Sequence, residues 1–251
     1  MYMHNCVYNS LAHFKKHTAP WTHYEIENVL DNDLLDFIYN FKFPTNNDII
    51  ASPTNYCTLR KFDKVSKILK GEQYKQTISD NRHSCEINFT QTFKQEHKQA
   101  QRLFDMFLDK TVLNFLEKTG NISLKDSFLR IQLIKDIDGY SITPHVDYEK
   151  LFTLQCFFMT STESDIGTIL LSKREGEIIK RTLYRENTGT FFFPTKCKEK
   201  NVPVNNSDEA TWHSFRGKIN VQRISLMVNY FSNIPLGNNN ITNKDTVFYK
   251  L

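Results

Sequence analysis

Residues 127–232 break into seven or eight short extended stretches with few helix signals, and this rhythm constrains the fold more than any other feature of the chain. Ser127-Phe128-Leu129-Arg130-Ile131-Gln132-Leu133-Ile134 alternates apolar and polar residues over its second half, the period of a half-buried strand. Asp138-Gly139 is a turn signal, and Tyr140-Ser141-Ile142-Thr143 opens a second extended piece. Residues 151–159 form a long apolar run consistent with a buried strand. Residues 167–171, 177–184 and 189–194 supply three more, the last ended by Pro194, and 224–231 makes the final core strand. Many short strands with so little helix between them suit a two-sheet sandwich or jelly roll. Such a fold brings strands that are distant in sequence together at one open mouth.

Polar residues at the edges of these strands carry the chemistry. Thr143-Pro144-His145-Val146-Asp147-Tyr148 contains a His-x-Asp, and Thr211-Trp212-His213-Ser214 supplies a second histidine. With 8 His and 15 Asp in 251 residues, a His-x-Asp arises by chance about half a time, so the tripeptide alone says little. Context adds weight: His145 and His213 are the only histidines beyond residue 100, and both sit at the edge of a strand-like run. In an extended chain, residues i and i+2 point to the same side, so His145 and Asp147 can share one ion while Val146 turns away. Two neutral imidazoles and one carboxylate on one face of an octahedral metal leave three positions open, a set that selects non-haem Fe(II). Ten residues after His213 comes Gln222-Arg223-Ile224-Ser225, where Arg223 and Ser225 share a strand face. The guanidinium of Arg223 is a planar fork suited to a carboxylate.

This pattern, His-x-Asp, a long gap, His, then Arg-x-Ser, resembles the Fe(II)/2-oxoglutarate-dependent dioxygenases. The resemblance covers residues 127–232, with a weaker echo in Ala19-Pro20-Trp21-Thr22-His23-Tyr24-Glu25-Ile26-Glu27-Asn28-Val29-Leu30. It implies a mainly β protein with an α+β N-terminal part: a double-stranded β-helix (a cupin-like jelly roll) flanked by helices. It also implies that His145, Asp147 and His213 are catalytic iron ligands, and that Arg223 with Ser225 holds the distal carboxylate of 2-oxoglutarate. The expected cofactors are Fe(II), 2-oxoglutarate as cosubstrate and O2, with ascorbate a candidate reductant. The implied reaction hydroxylates, or oxidatively demethylates, a small molecule or an amino-acid side chain and releases succinate and CO2.

Some positions depart from the family pattern. For the strand residue that touches the cosubstrate, the local candidates are Arg130, Gln132 and Tyr140. The frequent Gly-Gly is reduced to Ile166-Gly167-Thr168, and a polar insert at 196–206 separates the phenylalanine strand from His213. An AlkB-like nucleic-acid demethylase is echoed by Gly139, Ile142, His145 and Asp147, but Asn229 stands where such enzymes often carry a further Arg. A prolyl-hydroxylase-like protein modifier is a third reading, with Asp136 in place of that group's tyrosine. A non-catalytic jelly-roll binding module is a fourth. The substrate pocket is expected from the 45–92 region, Tyr140, Tyr148 and the 196–210 insert, with Lys150 solvated.

The rest of the chain fits one catalytic domain: an N-terminal α/β elaboration at 1–126, the β-helix core at 127–232 and a tail at 233–251. Asp31 caps an expected helix from Asn32 to about Phe41. Residues 93–119 read as one long amphipathic helix with Gly120 as terminator. Residues 23–29 alternate like a strand, and 246–249 could add an edge strand. The net charge of +4 neither demands nor excludes nucleic acid. The five cysteines are scattered without a Cys-x-x-Cys, which argues for a reducing compartment. With no basic-then-apolar leader and no run of membrane-spanning length, a cytoplasmic protein without membrane contact is expected, its oligomeric state open. His4, His13, His17, His23, His83 and His97 show no ligand spacing and receive no role.

Overall fold

The computed structural model describes residues 5–44, 57–60, 63–70, 75–81, 84–136, 139–147, 149–158, 166–172, 178–194, 210–218, 221–234 and 248–251. Two antiparallel sheets dominate it. The core strands are β7 (Phe128–Asp136), β8 (Ser141–His145), β9 (Lys150–Phe158), β10 (Ile169–Leu171), β11 (Ile178–Arg181), β12 (Thr188–Phe192), β13 (His213–Arg216) and β14 (Arg223–Phe231). The larger sheet contains the order β12-β9-β14-β7 and the smaller one β11-β10-β13-β8. The chain therefore crosses repeatedly between the sheets, and strands far apart in sequence become neighbours. This is a double-stranded β-helix, as expected.

The N-terminal strands extend both sheets. β1 (Lys15–His17) and β2 (His23–Glu27) lengthen the larger sheet beyond β12, while β3 (Cys57–Arg60) and β6 (Ser84–Asn88) lengthen it beyond β7. The hairpin of β4 (Asp63–Lys70) and β5 (Lys75–Asn81) continues the smaller sheet beyond β8. Of the edge strand expected over 246–249, Tyr249 lies in β15 (Tyr249–Lys250), which pairs with the start of β7, while 246 and 247 lie outside the described residues.

Alternation along the larger sheet separates core from site. On β14, Ile224, Leu226, Val228 and Tyr230 belong to the main apolar cluster, while Arg223, Ser225 and Met227 line a cavity between the sheets. On β7, Leu129, Ile131 and Leu133 face the core and Arg130, Gln132, Ile134 and Asp136 face the cavity. Helices cover the core side. α1 is Cys6–Ala12, α2 Asn32–Asn40, α3 Gln91–Glu96, α4 Lys98–Leu108 and α5 Lys110–Gly120. Leu103, Phe107 and Leu116 from this group are fully buried in the same cluster as Phe152 and Tyr230. Each such side chain contributes roughly 1.5–3 kcal/mol of transfer free energy, so the outer face stabilises the sheet that carries the site.

Helix α2 begins where expected, with the Asp31 carboxylate accepting from the Leu34 N–H. The single helix expected over 93–119 is instead three. His97 (φ −128°, ψ 98°) and Asp109 (φ −59°, ψ 131°) leave helical geometry. Asp109 then caps α5 by accepting from Thr111 N at 2.7 Å, an N-cap preference that the apolar periodicity concealed. Gly120 is the last helical residue, not the terminator; Asn121 takes the left-handed cap at φ 48°. The 177–184 strand is confined to Ile178–Arg181. The phenylalanine run is core, as expected: Phe191 and Phe192 are buried, and Phe191 stacks on Tyr24. Cys6, Cys85 and Cys156 are free thiols. No helix among the described residues is long and apolar enough to cross a membrane. Tyr148, residues 45–56 and most of the 196–210 insert lie outside the described residues.

Candidate metal centre

His145 ends β8 and His213 begins β13, and the two are directly paired across the strands. Their rings are 4.2 Å apart, centroid to centroid. Asp147, two residues past His145, completes a group whose ligand atoms lie within 4.8 Å of one another. Asp147 Oδ2 is 3.7 Å from His213 Nε2, and its Oδ1 is 4.0 Å from His145 Nε2. Each imidazole is oriented the same way. His145 Nδ1 donates to Thr143 O at 3.0 Å and His213 Nδ1 to Thr211 O at 2.9 Å. A carbonyl can only accept, so the proton is on Nδ1 and the Nε2 lone pair is presented to the centre.

The electrostatics keep the three donors unprotonated. Burial, helped by His213, holds the His145 pKa down at about 3, and burial also lowers His213. Both rings are thus neutral at ordinary pH. Burial pushes the Asp147 carboxyl up, but Lys150, His213 and His145 together pull it well below the usual carboxylate range. Lys150 is not solvated as expected: its Nζ is 2.9 Å from Asp147 Oδ2 and supplies the balancing positive charge. Thr153 Oγ1 lies 3.1 Å from both Asp147 Oδ2 and Asn229 Oδ1. The buried Asn229 Nδ2 has no partner among the described residues. A half-turn of that amide lets Nδ2 donate to Thr153, which then donates to Asp147.

All three residues line a cavity of about 260 Å³ together with Arg223 and Ser225. Arg223 is buried, its guanidinium 3.4 Å above the Phe215 ring. Its Nε donates to Asp136 Oδ2 at 2.6 Å, and its Nη1 reaches Ile166 O at 3.5 Å. Burial pushes the Asp136 carboxyl up, against the pull of Arg223. Asp136 Oδ1 is buried without a partner among the described residues. Ser225 accepts from Gln155 Nε2 at 3.4 Å, and Gln155 Oε1 accepts from Thr168 Oγ1 at 2.9 Å. Gly167 makes that join possible. A Cβ there would sit 1.9 Å from Thr182 O, beside the Thr168–Thr182 contacts. Arg130, Gln132 and Tyr140, the three cosubstrate candidates, all line the cavity.

The sequence reading missed Asp136, Lys150, Thr153 and Gln155. Thr153 and Gln155 did leave a signal: polar residues at alternate positions of an otherwise apolar strand mark an inward polar face.

The sequence matches no family model and no curated protein. Solved structures are similar to it in fold. A prolyl hydroxylase from Trichoplax adhaerens, in complex with a peptide fragment of the hypoxia inducible factor oxygen degradation domain, superposes with a TM-score of 0.50 at 12% identity, covering 91% of this chain and 88% of that one. This chain shares its fold. A Pseudomonas putida prolyl-4-hydroxylase gives a TM-score of 0.45 at 10% identity, covering 91% of this chain and 98% of that one. A 2OG-Fe(II) oxygenase family oxidoreductase from Burkholderia pseudomallei gives 0.38 at 10% identity, covering 80% and 90%.

Proposed function

We propose that this protein is an Fe(II)- and 2-oxoglutarate-dependent oxygenase that hydroxylates a small molecule or an amino-acid side chain. One observation carries the reading: two neutral imidazoles and a carboxylate converge in a buried cavity that also holds a buried arginine. The donor set fits ferrous iron, because both Nε2 lone pairs and an anionic oxygen are already turned inward. The cavity fits a dicarboxylic keto acid, because Arg223 and Ser225 provide a cation and a hydroxyl on one strand face.

When bound, iron and 2-oxoglutarate supply the oxidising chemistry, converting the keto acid to succinate and CO2 as oxygen is inserted into a substrate C–H bond. The chain's own residues bind and orient. His145, His213 and Asp147 would hold the metal, with Thr143, Thr211 and Thr153 fixing their directions. Arg223 would meet the distal carboxylate with its terminal nitrogens, since Asp136 takes its Nε edge. Ile142, Leu170, Phe192 and Phe215 line the cavity with apolar surface and restrict water. The Trichoplax neighbour is a peptide complex, which keeps an amino-acid side chain among the substrates.

The test does not need the substrate. Anaerobic Fe(II) followed by 2-oxoglutarate should give a visible metal-to-ligand charge-transfer band that His145→Ala and Asp147→Ala lose. A band of equal intensity in these variants would remove the assignment. With a true substrate present, a mere binding module would consume no keto acid.

A further inference from the structure

Among the described residues a second group of side chains repeats the arrangement of the first. His17 and His23 are directly paired across β1 and β2, as His213 and His145 are across β13 and β8. Glu25 follows His23 by two residues, as Asp147 follows His145. The ligand atoms of His17, His23 and Glu25 also lie within 4.8 Å of one another. His23 is fully buried, and its Nδ1 donates to the carbonyl of Trp21, two residues back, at 2.9 Å. His145 and His213 make the same contact to residues two back. His23 is therefore locked in the tautomer that presents the Nε2 lone pair. Even the counter-ion is repeated: Lys180 Nζ is 2.7 Å from Glu25 Oε1, as Lys150 is 2.9 Å from Asp147.

We propose that His17, His23 and Glu25 form a second divalent transition-metal site, for which zinc is the redox-inert probe, and which the Lys180 ammonium fills when the metal is absent. Zinc accepts imidazole and carboxylate ligands and, with water as the fourth, would be tetrahedral here. Zinc bonds of roughly 2.0–2.2 Å need the ligand atoms drawn closer than 4.8 Å, which side-chain rotation supplies. His17 Nε2 now bonds Glu25 Oε2 at 2.8 Å, and the two imidazole rings are stacked at 4.9 Å. Both donors are thus already turned toward the centre. Lys180 Nζ stands 3.4 Å from His23 Nε2, on the lone pair a metal would take. Its side chain is 27% exposed, so it can withdraw to solvent. The site clips β1 to β2 and fixes Trp21, whose Nε1 donates to Trp212 O at 3.2 Å, beside His213.

Zinc binding to the full chain, measured by competition with a chromophoric chelator, tests this independently of the iron reading. The variant His145→Ala/His213→Ala removes the first centre and is expected to bind one equivalent of Zn2+. With Co2+ it should show the intense visible absorption of a tetrahedral site. Adding His17→Ala and Glu25→Gln should abolish both signals. Lys180→Met should tighten zinc roughly tenfold, the scale of one charge-assisted hydrogen bond no longer displaced. Should the combined variant fail to fold, Glu25→Gln added alone to His145→Ala/His213→Ala, which keeps the side-chain shape, must weaken binding by at least roughly tenfold. Absence of stoichiometric zinc in His145→Ala/His213→Ala overturns the proposal. So does zinc retained undiminished without His17 and Glu25.

Discussion

Replacing Asp136 by Asn should tighten 2-oxoglutarate binding, an unusual direction for a change in a buried ion pair. Asp136 accepts from Arg223 Nε at 2.6 Å, and both side chains are only 4% exposed. An ionised Asp136 neutralises the cation that would meet the distal carboxylate. The two carboxylates would face each other across one guanidinium, roughly 6 Å apart, which at an effective dielectric near 20 amounts to about 2–3 kcal/mol of repulsion. Asn keeps an oxygen to accept from Nε and removes the charge. Affinity should rise by ~2 kcal/mol, about 30-fold. The pH dependence fixes the mechanism. Burial raises the Asp136 carboxyl in the folded protein. Below that raised value Asp136 is protonated and the wild type should match the variant; above it the wild type should fall behind. Its contribution to stability has the same sign, present at low pH and lost as pH rises through the folded value. Affinity measured by metal-loaded anaerobic titration from below to above the Asp136 titration checks both. Weaker binding in Asp136→Asn, or a wild-type-to-variant ratio that does not change with pH, would refute the reasoning.

Three further outcomes are expected. Arg223→Ala should raise the KM for 2-oxoglutarate by roughly 10–100-fold, the cost of a lost charge-assisted carboxylate contact, and steady-state kinetics against the keto acid would show it. Lys150→Met leaves the buried Asp147 carboxylate without its ammonium, so the metal-free protein should lose roughly 3 kcal/mol of stability. Excess Mn2+ should restore most of that loss, and thermal unfolding with and without the metal reads both effects. Gly167→Ala places a methyl 1.9 Å from Thr182 O. It should cost about 2 kcal/mol as the backbone shifts, seen as a lower denaturation midpoint.

The core strands were legible because a sheet with a helical layer on one face and a cavity on the other writes period two into its sequence. Helix α2 was legible because Asp31 announces its start. The 93–119 region misled because its apolar stripe continues through His97 and Asp109, whose backbones break the helix while the buried face runs on. The strands within 57–81 gave no pattern: Asp63-Lys64-Val65-Ser66-Lys67-Ile68 and Lys75-Gln76-Thr77-Ile78-Ser79 are too polar for periodicity to stand out. At the site, His145 and Asp147 were readable as neighbours on one strand face, and His213 and Arg223 through the family pattern. Asp136 and Lys150 were not readable in the same way. The Asp136–Arg223 contact joins residues 87 positions apart, and only strand pairing creates it. His17 and His23 escaped notice for a related reason. Six residues apart along the chain, they become ligand neighbours only when β1 folds back in register on β2.

The most direct measurement is anomalous diffraction at the iron edge from crystals grown anaerobically with Fe(II) and 2-oxoglutarate. A peak is expected within coordination distance of His145 Nε2, His213 Nε2 and an Asp147 oxygen, with keto-acid density reaching toward Arg223. A map with no iron peak between these three side chains, or with the keto acid bound away from Arg223, would contradict it.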